Sequence, residues 1–162
     1  IIKLNKNELI NLTSKIGSDV ILGVKLNNTI LSSDGKIKRF DKSIKLHTLV
    51  VKPDFGCSTR YIFSKVRKFT KAQFNSPAES IFKIKKLIDL NNDLEKIAFH
   101  KYPKLEKIKS FLLTMPNNIF VRMSGSGSSI VAYFYSKSDC GNAYKLFRRE
   151  FNGNWCIISK TI

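Results

Sequence analysis

The last third of the chain alternates between short apolar segments of strand character and one amphipathic helix, and this order limits the possible folds. Residues 119–123 and 130–135 are β-rich and flank a glycine-serine stretch. A helix is predicted over residues 138–151 and a last strand over residues 155–159. A further strand is predicted over residues 46–51, with helices between it and residue 119. This order is typical of an α+β, ferredoxin-like split βαβ domain with extra helices inserted in its first crossover.

Residues 1–44 precede this pattern, and we expect a domain boundary near residue 44. The chain begins with a predicted helix whose N-cap is Asn5, with Glu8 as the reciprocal partner of a capping box and Gly17 as the stop. An amphipathic helix at the edge of a chain needs a partner to pack against. We therefore expect residues 1–44 to be the remnant of a neighbouring domain of a longer protein, and residues 45–162 to form the second domain.

Three local signals complete the prediction. Two short strands are expected around residues 29–32 and 36–40, joined by a turn at Asp34-Gly35. Ser58 is placed to cap a helix that reaches about Lys68. The run from Ser76 to Glu79 combines a capping serine, a first-turn proline and a returning glutamate, which predicts another helix start.

Composition excludes several classes of function. The 162 residues carry 29 basic and 12 acidic side chains, a net charge of +17, but lysine is spread throughout, which favours a solvated basic surface that attracts anionic small substrates. The three cysteines form no CxxC pair, and with only two histidines a closed zinc site is not expected. There is no GxSxG elbow and no apolar run long enough for a membrane span, and the first residues lead us to expect no secretory signal. We expect a cytoplasmic protein that holds no metal through Cys or His.

The stretch Met123-Ser124-Gly125-Ser126-Gly127-Ser128-Ser129 is the most informative motif. Its glycines permit positive φ, and successive N–H groups in such a loop can form a concave anion site. It is not a Walker loop, because GK[ST] is missing and a strand follows. From the residues alone, a flexible hairpin loop and a phosphate contact are both open.

Together with Arg122 and the strand that follows, this stretch resembles the C-terminal glycine-rich motif of the GHMP kinases. Further segments agree with that family in the same order along the chain: Ile16-Gly17-Ser18-Asp19-Val20, the run from Pro53 to Phe63, Asn92-Asp93-Leu94-Glu95, and Tyr102-Pro103. The family's N-terminal part, with the lysine that pairs with the catalytic aspartate and the main GGGSS phosphate loop, has no counterpart here. The resemblance therefore implies a C-terminal GHMP kinase domain preceded by the last elements of the ATP-binding domain.

The resemblance also implies roles for individual residues. Asp19 matches the catalytic aspartate, although from the residues alone a turn-capping role is favoured. Thr59 and Phe63 match positions that line a cytidine pocket, although Phe63 could equally be a core residue of its helix. The loop residues would contact or support the phosphates of ATP, whose Mg²⁺ arrives with the nucleotide: Ser124, Gly125, Ser126, Gly127 and Ser128. Ile21 and Lys36 depart from the family pattern, where proline and an acidic residue are usual.

The implied activity is ATP-dependent phosphorylation of the 2-hydroxyl of 4-diphosphocytidyl-2-C-methyl-D-erythritol, a nucleotide-linked intermediate of non-mevalonate isoprenoid precursor synthesis. Residues 1–162 alone are expected to be inactive without the missing ATP-binding domain. One alternative is another GHMP small-molecule kinase. The other is a basic ferredoxin-like RNA-binding module, supported by the charge and by Tyr133-Phe134-Tyr135, but the RNP1 pattern is absent, so no nucleic-acid partner is expected.

Overall fold

The computed structural model describes residues 4–17, 19–25, 27–32, 35–41, 44–71 and 78–161. Their contacts divide the chain into two compact units. The first unit holds the described residues up to Ile44 together with residues 78–82, and the second holds those of 45–71 and 83–161. The assignment of 1–44 and 45–162 to two functional domains stays a prediction.

The α-helices and β-strands of the described residues are numbered in chain order. The helices are α1 (Lys6–Ile16), α2 (Thr59–Ser64), α3 (Ile84–Asp89), α4 (Glu95–Lys101), α5 (Pro103–Leu113) and α6 (Lys137–Glu150). The strands are β1 (Asn28–Leu31), β2 (Ile37–Phe40), β3 (His47–Lys52), β4 (Asn118–Met123), β5 (Ile130–Phe134) and β6 (Trp155–Lys160). Short 3₁₀ helices lie at Val20–Val24 and Glu79–Phe82.

The second unit is built on an antiparallel sheet with the strand order β4-β5-β3-β6. The order β3, helices, β4, β5, α6, β6 along the chain, folded into this sheet, confirms the α+β split βαβ prediction. Alternate residues of the strands point to one buried face, against which α5 and α6 pack. The core on that face includes Leu49, Val51, Leu105, Ile108, Ile130, Phe134 and Phe147, which are fully buried.

The first unit contains α1, the 3₁₀ helix at Val20–Val24 and the β1-β2 hairpin. The predicted capping box is present, since the Asn5 side chain accepts from the N–H of Glu8 and the Glu8 carboxylate accepts from the N–H of Asn5. Gly17 ends the helix as predicted. Asp34, predicted for the hairpin turn, lies outside the described residues, whereas Gly35 has φ +79°.

One helix prediction was wrong in extent. Helix α2 is capped by Ser58 as predicted but ends at Ser64, whose hydroxyl donates to the Tyr61 carbonyl and so competes with continuation of the backbone ladder. Ser76 and Pro77 lie outside the described residues, and the segment that follows them is a 3₁₀ helix before α3 begins at Ile84.

Among the described helices, none has both the length and the apolar character that crossing a membrane requires.

Candidate functional site

The glycine-serine loop joins β4 to β5 and closes on itself through its own backbone. The N–H of Ser124 donates to the Ser129 carbonyl and the N–H of Gly127 donates to the Ser124 carbonyl, each at 2.9 Å. Gly125 has φ +53° and Gly127 has φ +88°, conformations that L side chains rarely adopt. The loop is therefore a defined turn, and two of its N–H groups are used to hold its shape.

The middle of the loop, at Gly125 and Ser126, offers N–H groups to a ligand. Within the part of the chain that the structure describes, the N–H groups of Gly125 and Ser126 donate no hydrogen bond. Gly125 is exposed and Ser126 is half-buried. Since unpaired backbone N–H groups readily bind anions, these two are donors that the loop can offer to a phosphate.

The underside of the loop is anchored to the segment that follows β3. Ser128 is 4% exposed, and its hydroxyl donates to the Phe55 carbonyl at 2.7 Å. A Cβ at Gly127 would lie 3.0 Å from Cys57 Sγ and 3.0 Å from Met123 Sδ, so only glycine fits there without a shift. Burial raises the pKa of the Cys57 thiol, which is consistent with a packing role.

The first turn of α2 contacts the loop directly. The Thr59 hydroxyl lies 2.8 Å from the Ser126 hydroxyl, although 67 residues separate them in the sequence. The structure thus brings together two residues that the sequence predicted for different parts of the site, Thr59 for the substrate and Ser126 for the phosphates.

Phe63 lies one turn further along α2 and is 51% exposed. Its neighbour Ile62 is fully buried and supplies the core contact of this short helix. The alternative in which Phe63 is a core residue is therefore wrong, and its ring is accessible to a ligand.

Asp19 lies in the first unit. It is exposed and immediately precedes the 3₁₀ helix at Val20–Val24, whose described N–H groups make no capping bond to its side chain. The Arg39 guanidinium on β2 donates to the carbonyls of Ile21, Leu22 and Lys25, at 2.8, 3.3 and 3.0 Å. Arg39 therefore holds the segment after Asp19 against the hairpin, with isoleucine in place of the usual proline at residue 21.

The sequence predicted no role for Asn92 or Glu95, which served only as part of the motif that supports the resemblance. In the structure both reach the end of β4 and the loop. The Asn92 amide donates to the carbonyls of Met123 and Gly125, and a Glu95 carboxylate oxygen accepts from the N–H of Met123. A polar Asn and Glu three residues apart at a helix start is a common pattern, so the sequence carried no signal for these distant contacts.

No family model matches the chain. A curated 4-diphosphocytidyl-2-C-methyl-D-erythritol kinase from Pelagibacter ubique (strain HTCC1062) is 57% identical over 162 residues, which is 100% of this chain and 58% of that protein. A kinase of the same name from Thermodesulfovibrio yellowstonii is 29% identical over 172 residues, covering 99% of this chain and 59% of the relative.

The chain is similar throughout to the C-terminal part of these kinases. It spans under two thirds of their length.

Solved structures agree on the fold. A crystal structure of 4-(cytidine 5'-diphospho)-2C-methyl-D-erythritol kinase matches 94% of this chain and 57% of its own, with a TM-score of 0.76 and 21% identity. Homoserine kinase from Cytophaga hutchinsonii matches 99% of this chain and 58% of its own, with a TM-score of 0.66 and 12% identity. The predicted fold class is therefore confirmed, and the chain resembles the C-terminal part of a kinase, as the sequence predicted.

Proposed function

We propose that this chain is the C-terminal part of an ATP-dependent kinase that phosphorylates the 2-hydroxyl of 4-diphosphocytidyl-2-C-methyl-D-erythritol. The observation that carries the proposal is the 57% identity, over all 162 residues, to a kinase of that name. The homoserine kinase likeness rests on 12% identity and supports the fold alone.

The loop is suited to the phosphate side of such a reaction. Phosphoryl transfer needs hydrogen-bond donors that bind the charged phosphates and do not themselves react. The N–H groups of Gly125 and Ser126 are available for this. Magnesium enters as part of the MgATP substrate. The loop residues Ser124, Gly127 and Ser128 shape the turn through their own hydrogen bonds and close packing.

Asp19 is proposed as the general base. Its carboxylate would accept the proton of the substrate 2-hydroxyl as that oxygen bonds to the γ-phosphorus. The bond between the γ-phosphorus and the β,γ-bridging oxygen breaks, and ADP leaves. The exposed position of Asp19 in a turn held by Arg39 supports this role.

Thr59 and Phe63 are proposed for the cytidine side. The exposed Phe63 ring offers a face for stacking on the base, an interaction worth about 1–3 kcal/mol. Thr59, which contacts Ser126, would place this pocket beside the phosphate loop.

The RNA-binding alternative finds less support. Phe134 is fully buried, and the Tyr133 ring stacks on Phe120 with centroids 4.2 Å apart. Of this aromatic run, which reaches one residue past the end of β5, Tyr135 is left as the member open to a base, with 66% of it exposed.

A chimera tests the proposal. The N-terminal part of the Pelagibacter ubique kinase is fused to this chain, and ADP formation from MgATP is measured with and without 4-diphosphocytidyl-2-C-methyl-D-erythritol. Substrate-dependent turnover is expected from the chimera and none from residues 1–162 alone. A folded chimera without such turnover, or one that prefers homoserine, contradicts the proposal.

Single variants of the chimera test the assigned residues. Asp19→Asn should lower kcat by at least about 100-fold, with Asp89→Asn as the matched exposed control. Phe63→Ala should raise KM for the cytidine substrate about tenfold and leave KM for ATP unchanged, with the exposed Tyr135→Ala as its control. Equal effects in variant and control would remove the residue from the site.

A further inference from the structure

Asn92 holds the glycine-serine loop from outside. Its side-chain NH₂ donates to the Met123 carbonyl at 3.0 Å and to the Gly125 carbonyl at 2.7 Å, while its amide oxygen accepts from the N–H of Leu94 at 3.0 Å. The three bonds are consistent with one orientation of the amide, since two carbonyls face the NH₂ and an N–H faces the oxygen. One side chain thus joins the start of the loop to the turn before α4.

Glu95 holds the same strand end at a second point. One carboxylate oxygen accepts from the N–H of Met123 at 2.7 Å, and the other accepts from the ammonium of Lys109 at 2.5 Å. The Glu95 side chain is only 13% exposed, so both bonds are largely shielded from water. Hydrogen bonds to an ionised carboxylate in such surroundings are stronger than neutral ones.

These contacts converge on the residues around the N–H groups of Gly125 and Ser126. Both backbone polar groups of Met123 are held, its N–H by Glu95 and its carbonyl by Asn92. Asn92 also holds the Gly125 carbonyl, which belongs to the peptide group whose N–H is that of Ser126. Since a peptide group is planar, fixing that carbonyl also fixes the direction of the Ser126 N–H.

We infer that Asn92 and Glu95 are positioning residues that hold the N–H groups of Gly125 and Ser126 in the geometry that binds the nucleotide phosphates. This inference rests on the proposed function. Preorganised donors stabilise a developing charge without reorganising at the moment of reaction, whereas a loosely held loop must be ordered by its ligand. Neither residue needs to touch the nucleotide for this role.

The test compares Asn92→Asp with Asn91→Asp, which adds the same charge one residue earlier at an exposed position. In Asn92→Asp a carboxylate oxygen faces two carbonyls, so both donations to the loop are lost. Asn92→Ala removes the donors without the repulsion and serves as the second variant, should the first fold poorly.

The first measurement is amide hydrogen exchange on residues 1–162. The N–H groups of Ser124 and Gly127 are hydrogen-bonded inside the loop, so they report its order. Their exchange should accelerate at least about tenfold in both Asn92 variants, while α6 amides and the Asn91→Asp protein remain unchanged. Equal exchange in the Asn92 and Asn91 variants overturns the inference.

The second measurement is steady-state kinetics in the chimera. Asn92→Asp should raise KM for ATP about tenfold and lower kcat, with KM for the cytidine substrate unchanged. A merely structural role would reduce the active fraction and leave both KM values unaltered, and that result also overturns the inference. An inactive parent chimera contradicts the proposed function instead, and the exchange comparison then decides on the loop.

Discussion

Replacing Gly127 by alanine should destabilise the second unit considerably more than the same change at Gly125. Both glycines have positive φ, which costs an L residue about 1–2 kcal/mol. Alanine also reduces the conformational entropy of the unfolded chain, which stabilises the folded state by about 0.4–1 kcal/mol and offsets part of that cost. At Gly125 no described atom lies within 4 Å of the added Cβ, so the net loss should be about 0–1.6 kcal/mol.

At Gly127 the added methyl also meets Cys57 Sγ and Met123 Sδ, each at 3.0 Å. Overpacking of this kind costs about 1–3 kcal/mol, which brings the expected total to about 1–4.6 kcal/mol. Cys57→Ala removes one of the two sulfur contacts, so Gly127→Ala should be less destabilising in that background.

Urea unfolding provides the assay, followed by far-UV circular dichroism and by the fluorescence of Trp155, the only tryptophan, which lies on β6 of the same unit. The free energies of unfolding of the Gly125→Ala and Gly127→Ala proteins are compared with that of the parent. If the two losses agree within about 0.5 kcal/mol, close packing beneath the loop is not what selects glycine at residue 127.

Three further results are expected. Ile62→Ala should lower the free energy of unfolding by about 2–5 kcal/mol, since the side chain is fully buried, whereas Phe63→Ala, half exposed, should change it far less in the same urea titration. The Lys104 ammonium lowers the pKa of the Asp54 carboxyl, so this pair stabilises the fold at pH values above the ordinary carboxyl pKa. The difference in urea midpoint between the parent and Asp54→Asn should therefore be present at neutral pH. It should vanish as the pH falls through the lowered pKa. Burial raises the pKa of Cys140 to about 11, so in thiol labelling at pH 8 it should react most slowly of the three cysteines in the folded protein, and faster labelling would contradict its burial.

Local patterns predicted much of the fold because they act over a few residues. The Asn5–Glu8 capping box, the Ser58 cap and the strands on either side of the glycine-serine loop depend on contacts between near neighbours. The extent of α2 was missed because its end depends on a hydroxyl of Ser64 that turns back to the backbone, a choice that propensity does not determine.

The amino-acid order alone therefore determined the succession of strands and helices and the similarity to the C-terminal part of a kinase. It also determined which positions carry the glycines that a positive φ requires. Only the tertiary structure decided that Thr59 contacts Ser126 and that Asn92 donates to the Gly125 carbonyl, 33 residues away. It also decided that Ile62 is buried while Phe63 is exposed. Such contacts join segments that are distant in the chain, so their partners are set by how the strands pair and the helices pack, and no short stretch of sequence contains both ends.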